Sequence, residues 1–444
     1  MLENIPWLKT RKRIVFSAFL DFFILLISYK FIYQTNLAAK FNLFNLFNYS
    51  FVWSLTSYVF GRYTSWGEKV NSFFYPKKII KLVAISIILY LYIFIISLLT
   101  NTLTDFLNNS YIYFLILSSI FSFFGQLIME MYLKSKFGSK RHVIYFGDKD
   151  IFDFLEKLNA TSIRENQICL YYVTNNESFP KKIDEVIIQN FELLGRENYQ
   201  FLYGKLKKGF SIFTVSNWCE NEFQCIPSRT INNNELFTIN WLDRSRDFHR
   251  RLKRIADLII SILILFLLFP LLLIVAILIK WEDGGPILYS QLRTGLYGEQ
   301  IKIIKFRSMK VDSEKNGPQW ASKFDKRITI IGSIIRASRL DELPQLLSVL
   351  KGEMSLIGPR PERREIEEFL FNEIPLLEMK NWIKPGLSGW AQVNYPYGAS
   401  VEDSEMKFSY DLFYLKNYSL WLDLLIFFKT LRLVINRTGA SPKY

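Results

Sequence analysis

Two neighbouring carboxylates, Asp341 and Glu342, stand in the run RLDELPQLLSVLKG (339–352). Cations bracket them: Arg336 and Arg339 precede, and GPRP (358–361) brings Arg360 from downstream. A carboxylate can attack phosphorus or ligate a hard ion such as Mg²⁺, and arginine forks match phosphate oxygens. From Arg250 to Tyr444 there is neither histidine nor cysteine. A zinc site, a cysteine nucleophile and a Ser-His pair are therefore excluded from that region. Upstream, WEDGGPILYSQLRTGLYGEQIKIIKFRSM (281–309) reads as turn, strand, glycine turn, strand, with Arg293, Lys305 and Arg307 in or beside the strands. Lys305 and Arg307 share one face of an extended run and suit a phosphate clamp; the competing reading is a solvated basic strand.

The carboxylates need an element to hold them. Leu343, Leu346, Leu347 and Leu350 follow the spacing of an amphipathic helix, Gly352 supplies its stop, and Pro344 is tolerable only in its first turn. Asp341 and Glu342 are thus expected at a helix N-terminus. The plain explanation is an N-cap and a dipole partner. The functional one is a phosphate site assembled by that helix start and the flanking arginines. IKPGLSGWAQVN (383–394), with Lys384 and Gly386, reads as a loop able to close over a ligand. SYDLFYLKNYSLWLDLLIFFKTLRLVI (409–435), which contains Asp411, reads as helices lying on a membrane face.

The rest of the chain explains why a membrane is involved. Its 444 residues carry a net charge of +14, half are apolar and 17% aromatic, which excludes a disordered or disulfide-scaffold protein. Residues 1–140 hold fourteen Lys and Arg against five acids, and these flank apolar runs instead of gathering on a soluble nucleic-acid module. Apolar stretches at about 14–33, 43–61, 79–99 and 111–132 approach the ~20 residues of a crossing helix, with Asn42, Asn45 and Asn48 weakening the second. Basic residues collect before the first stretch (Lys9, Arg11), between the second and third (Arg62, Lys69, Lys78), and after the fourth (Lys136, Lys140). The N-terminus and everything after residue 134 are therefore expected in the cytoplasm.

From 141 to about 241, HVIYF, ICLYYV, EVIIQ and FSIFTV are β-like runs in a small α/β domain. HVIYFGD resembles the first strand of a nucleotide-binding fold, but Asp148-Lys149-Asp150 follows where a glycine fingerprint would stand. Cys169, Cys219 and Cys225 are an odd set, so a disulfide framework is not expected. The run IADLIISILILFLLFPLLLIVAILIK (255–280) is long enough to span, yet it carries basic residues at both ends and Pro270 near its centre. Composition alone leaves crossing and re-entry equally open.

Taken in order, GPILYSQLRTG, KFRSM, LDELPQLLSVLKG, MSLIGPRP, KPGLSGWAQVN and YDLFYLKNYSLWLDL resemble the bacterial sugar transferases, the polyprenyl-phosphate hexose-1-phosphate transferases that start capsule, exopolysaccharide and O-antigen assembly. The resemblance covers about residues 250–437. It implies a membrane protein in three parts: a four-helix transmembrane domain (1–137), a cytoplasmic Rossmann-like α/β domain without glycine fingerprint (138–245), and a mixed α/β catalytic domain on a re-entrant membrane helix (246–444). It further implies transfer of a sugar-1-phosphate from a UDP-sugar, UDP-glucose or UDP-galactose foremost, to undecaprenyl phosphate with release of UMP. In that scheme Asp341 is the nucleophile and forms a phosphosugar-aspartyl enzyme, while Glu342 helps hold Mg²⁺. Arg360 binds phosphate, with Arg293, Lys305, Arg307 and Arg336 around it, and Lys384, Gly386 and Asp411 fall in the site loops. Family analogy extends to a bacterial inner membrane location, a cytoplasmic active site and a homodimer. The family breaks its membrane helix at Pro, here Pro270, and usually places Ser before it, where this chain has Phe269. The alternative outside this class is a non-catalytic scaffold or regulator of polysaccharide assembly.

Overall fold

A computed structural model describes residues 12–34, 43–63, 74–100, 110–137, 141–161, 168–173, 183–190, 196–207, 210–231, 233–239, 241, 247–311, 325, 327–396, 398 and 400–436. Lys9, Arg11, Lys69 and Lys140, used above to set orientation, lie outside them. The chain forms two compact units, residues 1–142 with 162–169, and residues 143–161 with 170–444.

The first unit is built of α1 (Lys12–Gln34), α2 (Leu43–Val59), α3 (Phe74–Leu99) and α4 (Ser110–Phe137). Leu25, Trp53, Ile85, Leu89 and Phe114 form its buried core, while Phe19, Phe23, Ile87 and Phe124 face outward, as a lipid solvent permits. α1, α3 and α4 are long and apolar enough to cross a membrane. α2 has 17 residues. At 1.5 Å per residue it reaches about 25 Å, short of a hydrocarbon core of roughly 30 Å. Inside this unit Asp21 is fully buried and fully bonded: Trp53 Nε1 (3.0 Å), Arg62 Nη1 (2.8 Å), Tyr63 OH (2.7 Å), Gln126 Nε2 (3.0 Å) and Ser122 Oγ all donate to it. Arg62, which the sequence presents as a loop charge, is therefore an internal tie. Lys78 and Glu130 pair at 2.5 Å between α3 and α4.

Next in the chain come β1 (Arg141–Phe146), α5 (Lys149–Thr161), β2 (Ile168–Tyr172), β3 (Glu185–Ile188), α6 (Arg196–Leu206), β4 (Ser211–Thr214), α7 (Val215–Phe223) and α8 (Asn233–Thr238). The strands form one sheet in the order β2-β1-β3-β4, with β1, β3 and β4 parallel. At the carboxyl ends of β1 and β3, where such folds hold ligands, Gln189 fills the space. Its amide joins Asp148 N, Asp148 Oδ2 and Tyr145 OH at 2.7–2.8 Å.

α9 (Asp247–Asp283) is a 37-residue helix that runs through Pro270. Residues on both sides of Pro270 are helical, and the proline removes one backbone donor where a bend of α9 is expected. Phe266, Leu267 and Phe269 project outward from this stretch. Both ends of α9 are fastened to the fold that follows. That fold comprises the hairpin β5 (Leu288–Thr294) and β6 (Gln300–Phe306), α10 (Ile330–Ala337), a 3₁₀ turn (Leu340–Gln345), α11 (Leu346–Lys351) and β7 (Ser355–Ile357). It continues with α12 (Arg364–Glu373), a second 3₁₀ turn (Leu377–Trp382), β8 (Gly386–Ser388), α13 (Trp390–Asn394), α14 (Val401–Lys416) and α15 (Leu420–Ile435).

Near the start of α9, Lys253 pairs with Asp423 at 2.8 Å, Arg254 donates to the last carbonyls of α11 (Val349 and Leu350), and Asp257 accepts from Ser355 Oγ at 2.8 Å. At its other end Val275 and Ile279 pack with Phe306 and Ile335, and Arg307 bonds Asp283. Glu282 accepts from the first two N–H groups of α10, at 2.8 and 3.2 Å.

Candidate active site

A cavity of about 640 Å³ opens in the second unit between β5, β6, the Leu340–Gln345 turn, the GPRP segment, α13 and α14. Among the described residues, eleven Lys and Arg against four acidic side chains line it, which suits a polyanionic ligand. Asp341, Glu342, Arg293, Lys305, Arg307, Arg336, Arg360 and Asp411 all face it.

Asp341 and Glu342 do not begin an α-helix, which corrects the expectation from spacing. They sit in the 3₁₀ turn, whose first flanking residue, Arg339, is left-handed (φ +60°) and makes no side-chain cap. Pro344 has no N–H to close an α-type bond at this point, so i→i+3 bonds tighten the turn instead. α11 has only six residues and begins after the carboxylates. A phosphate at this turn would be held by side chains, not by a helix dipole.

The two acids are treated differently by their neighbours. Glu342, 8% exposed, accepts from Arg360 Nη2 at 2.8 Å and Lys305 Nζ at 3.5 Å on one oxygen, while Arg339 lies 3.8 Å from the other. Burial alone would raise its pKa, but Arg360, Lys305 and Arg339 outweigh burial and hold it far below the usual carboxylate range. Asp341 is partly buried and has no hydrogen bond or ion pair among the described residues. Burial and the adjacent Glu342 charge raise it to about 6, against the pull of Lys305, Arg336 and Arg360. Burial also lowers Lys305 to about 8, with Glu342 opposing. The result is one carboxylate neutralised by cations and one left open to the cavity.

The remaining candidates divide. Arg293 approaches Glu362 at 3.6 Å, and burial lowers its pKa. Arg307 is tied to Asp283 and the Ile279 carbonyl, leaving Nη1 buried without a hydrogen bond. Lys384 is exposed and Gly386 buried, and neither lines the cavity. Their segment is not a closing loop but the entry to β8, which pairs parallel with β7. Gly386 N donates to Pro359 O, and Gly358 N to Ser388 O, each at 2.8 Å. A Cβ on either glycine would meet the other's backbone, so both are needed to present Arg360. Spacing gave no sign of Gln392, Lys380 or Lys407 in the wall. Burial pushes Asp411 up to about 7, with Lys380 pulling it down and Glu362 pushing it up.

Among the described residues, no three His, Cys, Asp or Glu side chains gather into a closed metal cage. Magnesium commonly takes one or two carboxylates and completes its shell with water and substrate phosphates. Glu342, held ionised, and the adjacent Asp341 supply that donor chemistry, so the residues present fit such an ion.

The profile of the family described as bacterial sugar transferase matches residues 248–437, the stretch from α9 through α15. The UDP-N-acetylgalactosamine-undecaprenyl-phosphate N-acetylgalactosaminephosphotransferase of Aeromonas hydrophila is 46% identical over 189 residues, 43% of this chain and 45% of that protein. The UDP-glucose:undecaprenyl-phosphate glucose-1-phosphate transferase of Escherichia coli (strain K12) is 39% identical over 184 residues, 41% of this chain and 40% of that protein. Both matches span under half of the relative's length. A protein of the latter name from Caulobacter vibrioides is 38% identical over 190 residues, which cover 42% of this chain and 71% of the relative. The matched stretch holds every wall of the cavity, both carboxylates and the helix beneath them, and by that match the chain belongs to the bacterial sugar transferase family.

Proposed function

We propose that this protein transfers a sugar-1-phosphate from a UDP-sugar to undecaprenyl phosphate, releasing UMP, as the first step in building a surface polysaccharide. The observation that carries the reading is the unequal pair: Asp341 unpaired and facing a cationic cavity, Glu342 held by three cations beside it. An Asp341 oxygen attacks the phosphorus that bears the sugar. The bond from that phosphorus to the bridging oxygen breaks, UMP departs, and a phosphosugar-aspartyl enzyme remains. An oxygen of undecaprenyl phosphate then attacks the same phosphorus and returns Asp341 as a carboxylate. Arg360, Arg336, Arg293 and Lys305 stabilise the negative charge that develops on the phosphoryl oxygens. Glu342 with Asp341 would hold magnesium, which supplies further charge neutralisation when bound.

A crossing helix would put its ends on opposite sides of a core roughly 30 Å thick. Both ends of α9 are instead bonded to one compact fold, through Lys253–Asp423 and Asp257–Ser355 at one end and Arg307–Asp283 at the other. This supports an α9 that enters and leaves on the cytoplasmic face of a bacterial inner membrane. The relatives' names include N-acetylgalactosamine as well as glucose, so the donor panel must hold both beside galactose. UMP release from that panel by the membrane-embedded protein, with and without undecaprenyl phosphate and magnesium, tests the reaction. Lipid-dependent release from at least one donor is expected. No release from any of them would overturn the reading.

A further inference from the structure

The cavity extends to a wall made by α13 and α14, where two hydrogen-bond acceptors have no partner. Gln392 donates Nε2–H to Leu387 O at 3.4 Å, and its Oε1 is left buried without a hydrogen bond. Turning the amide over would set oxygen against oxygen, so this orientation is fixed by chemistry. Asp411 is 8% exposed, and its Oδ1 is likewise buried and unbonded. α13 packs on α14, and Gln392 of one and Asp411 of the other both line the same cavity wall. The cations acting on Asp411 are held by others: Lys380 by Glu367 at 2.8 Å, and Lys407 by the Gly398 carbonyl at 2.8 Å.

A buried acceptor left unbonded at a cavity wall calls for a partner. A phosphate offers only further acceptors and would be repelled here. The ligand group must donate. Uracil offers one N–H, set between two carbonyl oxygens, whereas a hexose offers several hydroxyls on neighbouring carbons. Two acceptors on one wall match the several hydroxyls of a hexose better than a single N–H.

We propose that Asp411 Oδ1 and Gln392 Oε1 form the subsite that reads the hydroxyls of the donor's sugar and so helps set which nucleotide sugar is used. The inference rests on the reading of this cavity as a nucleotide-sugar site. The test uses the full chain in lipid nanodiscs, comparing the wild type with Asp411→Asn and Gln392→Leu. Calorimetric binding of UDP and the KM for the preferred UDP-sugar are measured for each. UDP affinity is expected to stay unchanged, which also shows that the variants are folded, while KM rises by about 10–100-fold. The ratio of kcat/KM between sugar epimers is expected to fall as well. Equal weakening of UDP and UDP-sugar would place the nucleoside on these acceptors and overturn the proposal, as would an unchanged KM. Failure of the parent reading looks different, because the wild type itself would then release no UMP.

Discussion

Asp341 and Glu342 are neighbours in sequence, yet their surroundings give them opposite protonation behaviour. Arg360, Lys305 and Arg339 overcome burial at Glu342, which stays charged throughout the working pH range. Asp341 rises to about 6 from burial and from that neighbouring charge. The nucleophile proposed here must be ionised, so kcat is expected to fall about tenfold per pH unit below this value and to level off above it. The apparent pKa belongs to the pair and is read from the pH–rate profile. Arg336 lowers Asp341, so Arg336→Met should move the acid limb of the profile to higher pH; an unmoved limb would show that the limb reports another group. Asp341→Asn should cut turnover by at least about a thousandfold while leaving UDP binding intact, and wild-type UMP release by that variant would refute the nucleophile assignment. Residue types alone were enough to single out this pair and its arginines. They could not reveal Gln392, because which buried atom lacks a partner depends on contacts that no local pattern encodes.

At the scale of elements, periodic signals carried far. The four N-terminal helices, the four β-like runs and the hairpin over 281–309 follow from hydrophobic spacing and turn residues. The carboxylate turn did not, since Pro344 imposes 3₁₀ bonding where the leucine spacing reads as an α-helix from its start. Nor did β8, whose Gly-rich sequence looks like a loop until Gly358 and Gly386 meet. The boundary near residue 245 is also less of a division than composition suggests. The segment after α7 is bonded to the catalytic helices: Trp390 Nε1 donates to Gln224 O at 2.9 Å, Ile226 N to Ser409 O at 2.8 Å, and Arg229 pairs with Glu405 at 2.7 Å. Glu220, buried on α7, accepts from Lys416 at 2.6 Å and Asn417 at 3.0 Å at the end of α14, the helix that carries Asp411. Glu220→Ala strips both partners and should destabilise the second unit by about 1–3 kcal/mol. Glu220→Gln, able to keep the Asn417 bond, should lose less. Thermal unfolding of the two variants beside the wild type checks the order, and equal melting of all three would show the tie to be idle.

At the scale of the molecule, the proposed reaction brings a water-soluble donor and a lipid-borne acceptor to one carboxylate. Apolar side chains of α9 such as Phe266 and Phe269 face outward, while both of its ends are fastened to the fold that forms the cavity. Hydropathy cannot separate this from a crossing, because it counts apolar residues and not where the two ends are held. Labelling can. Arg251 lies near the start of α9 and Glu299 at the tip of the β5–β6 hairpin beyond its end, and both are exposed. In right-side-out vesicles, Arg251→Cys and Glu299→Cys should both resist a membrane-impermeant maleimide, and in inverted vesicles both should react. Labelling of the two positions from opposite sides would mean that α9 crosses. In that case Lys253–Asp423 and Arg307–Asp283 could not both hold in the membrane, since Asp423 and Arg307 belong to one fold on one side. The ion pairs and the helix's topology thus stand or fall together.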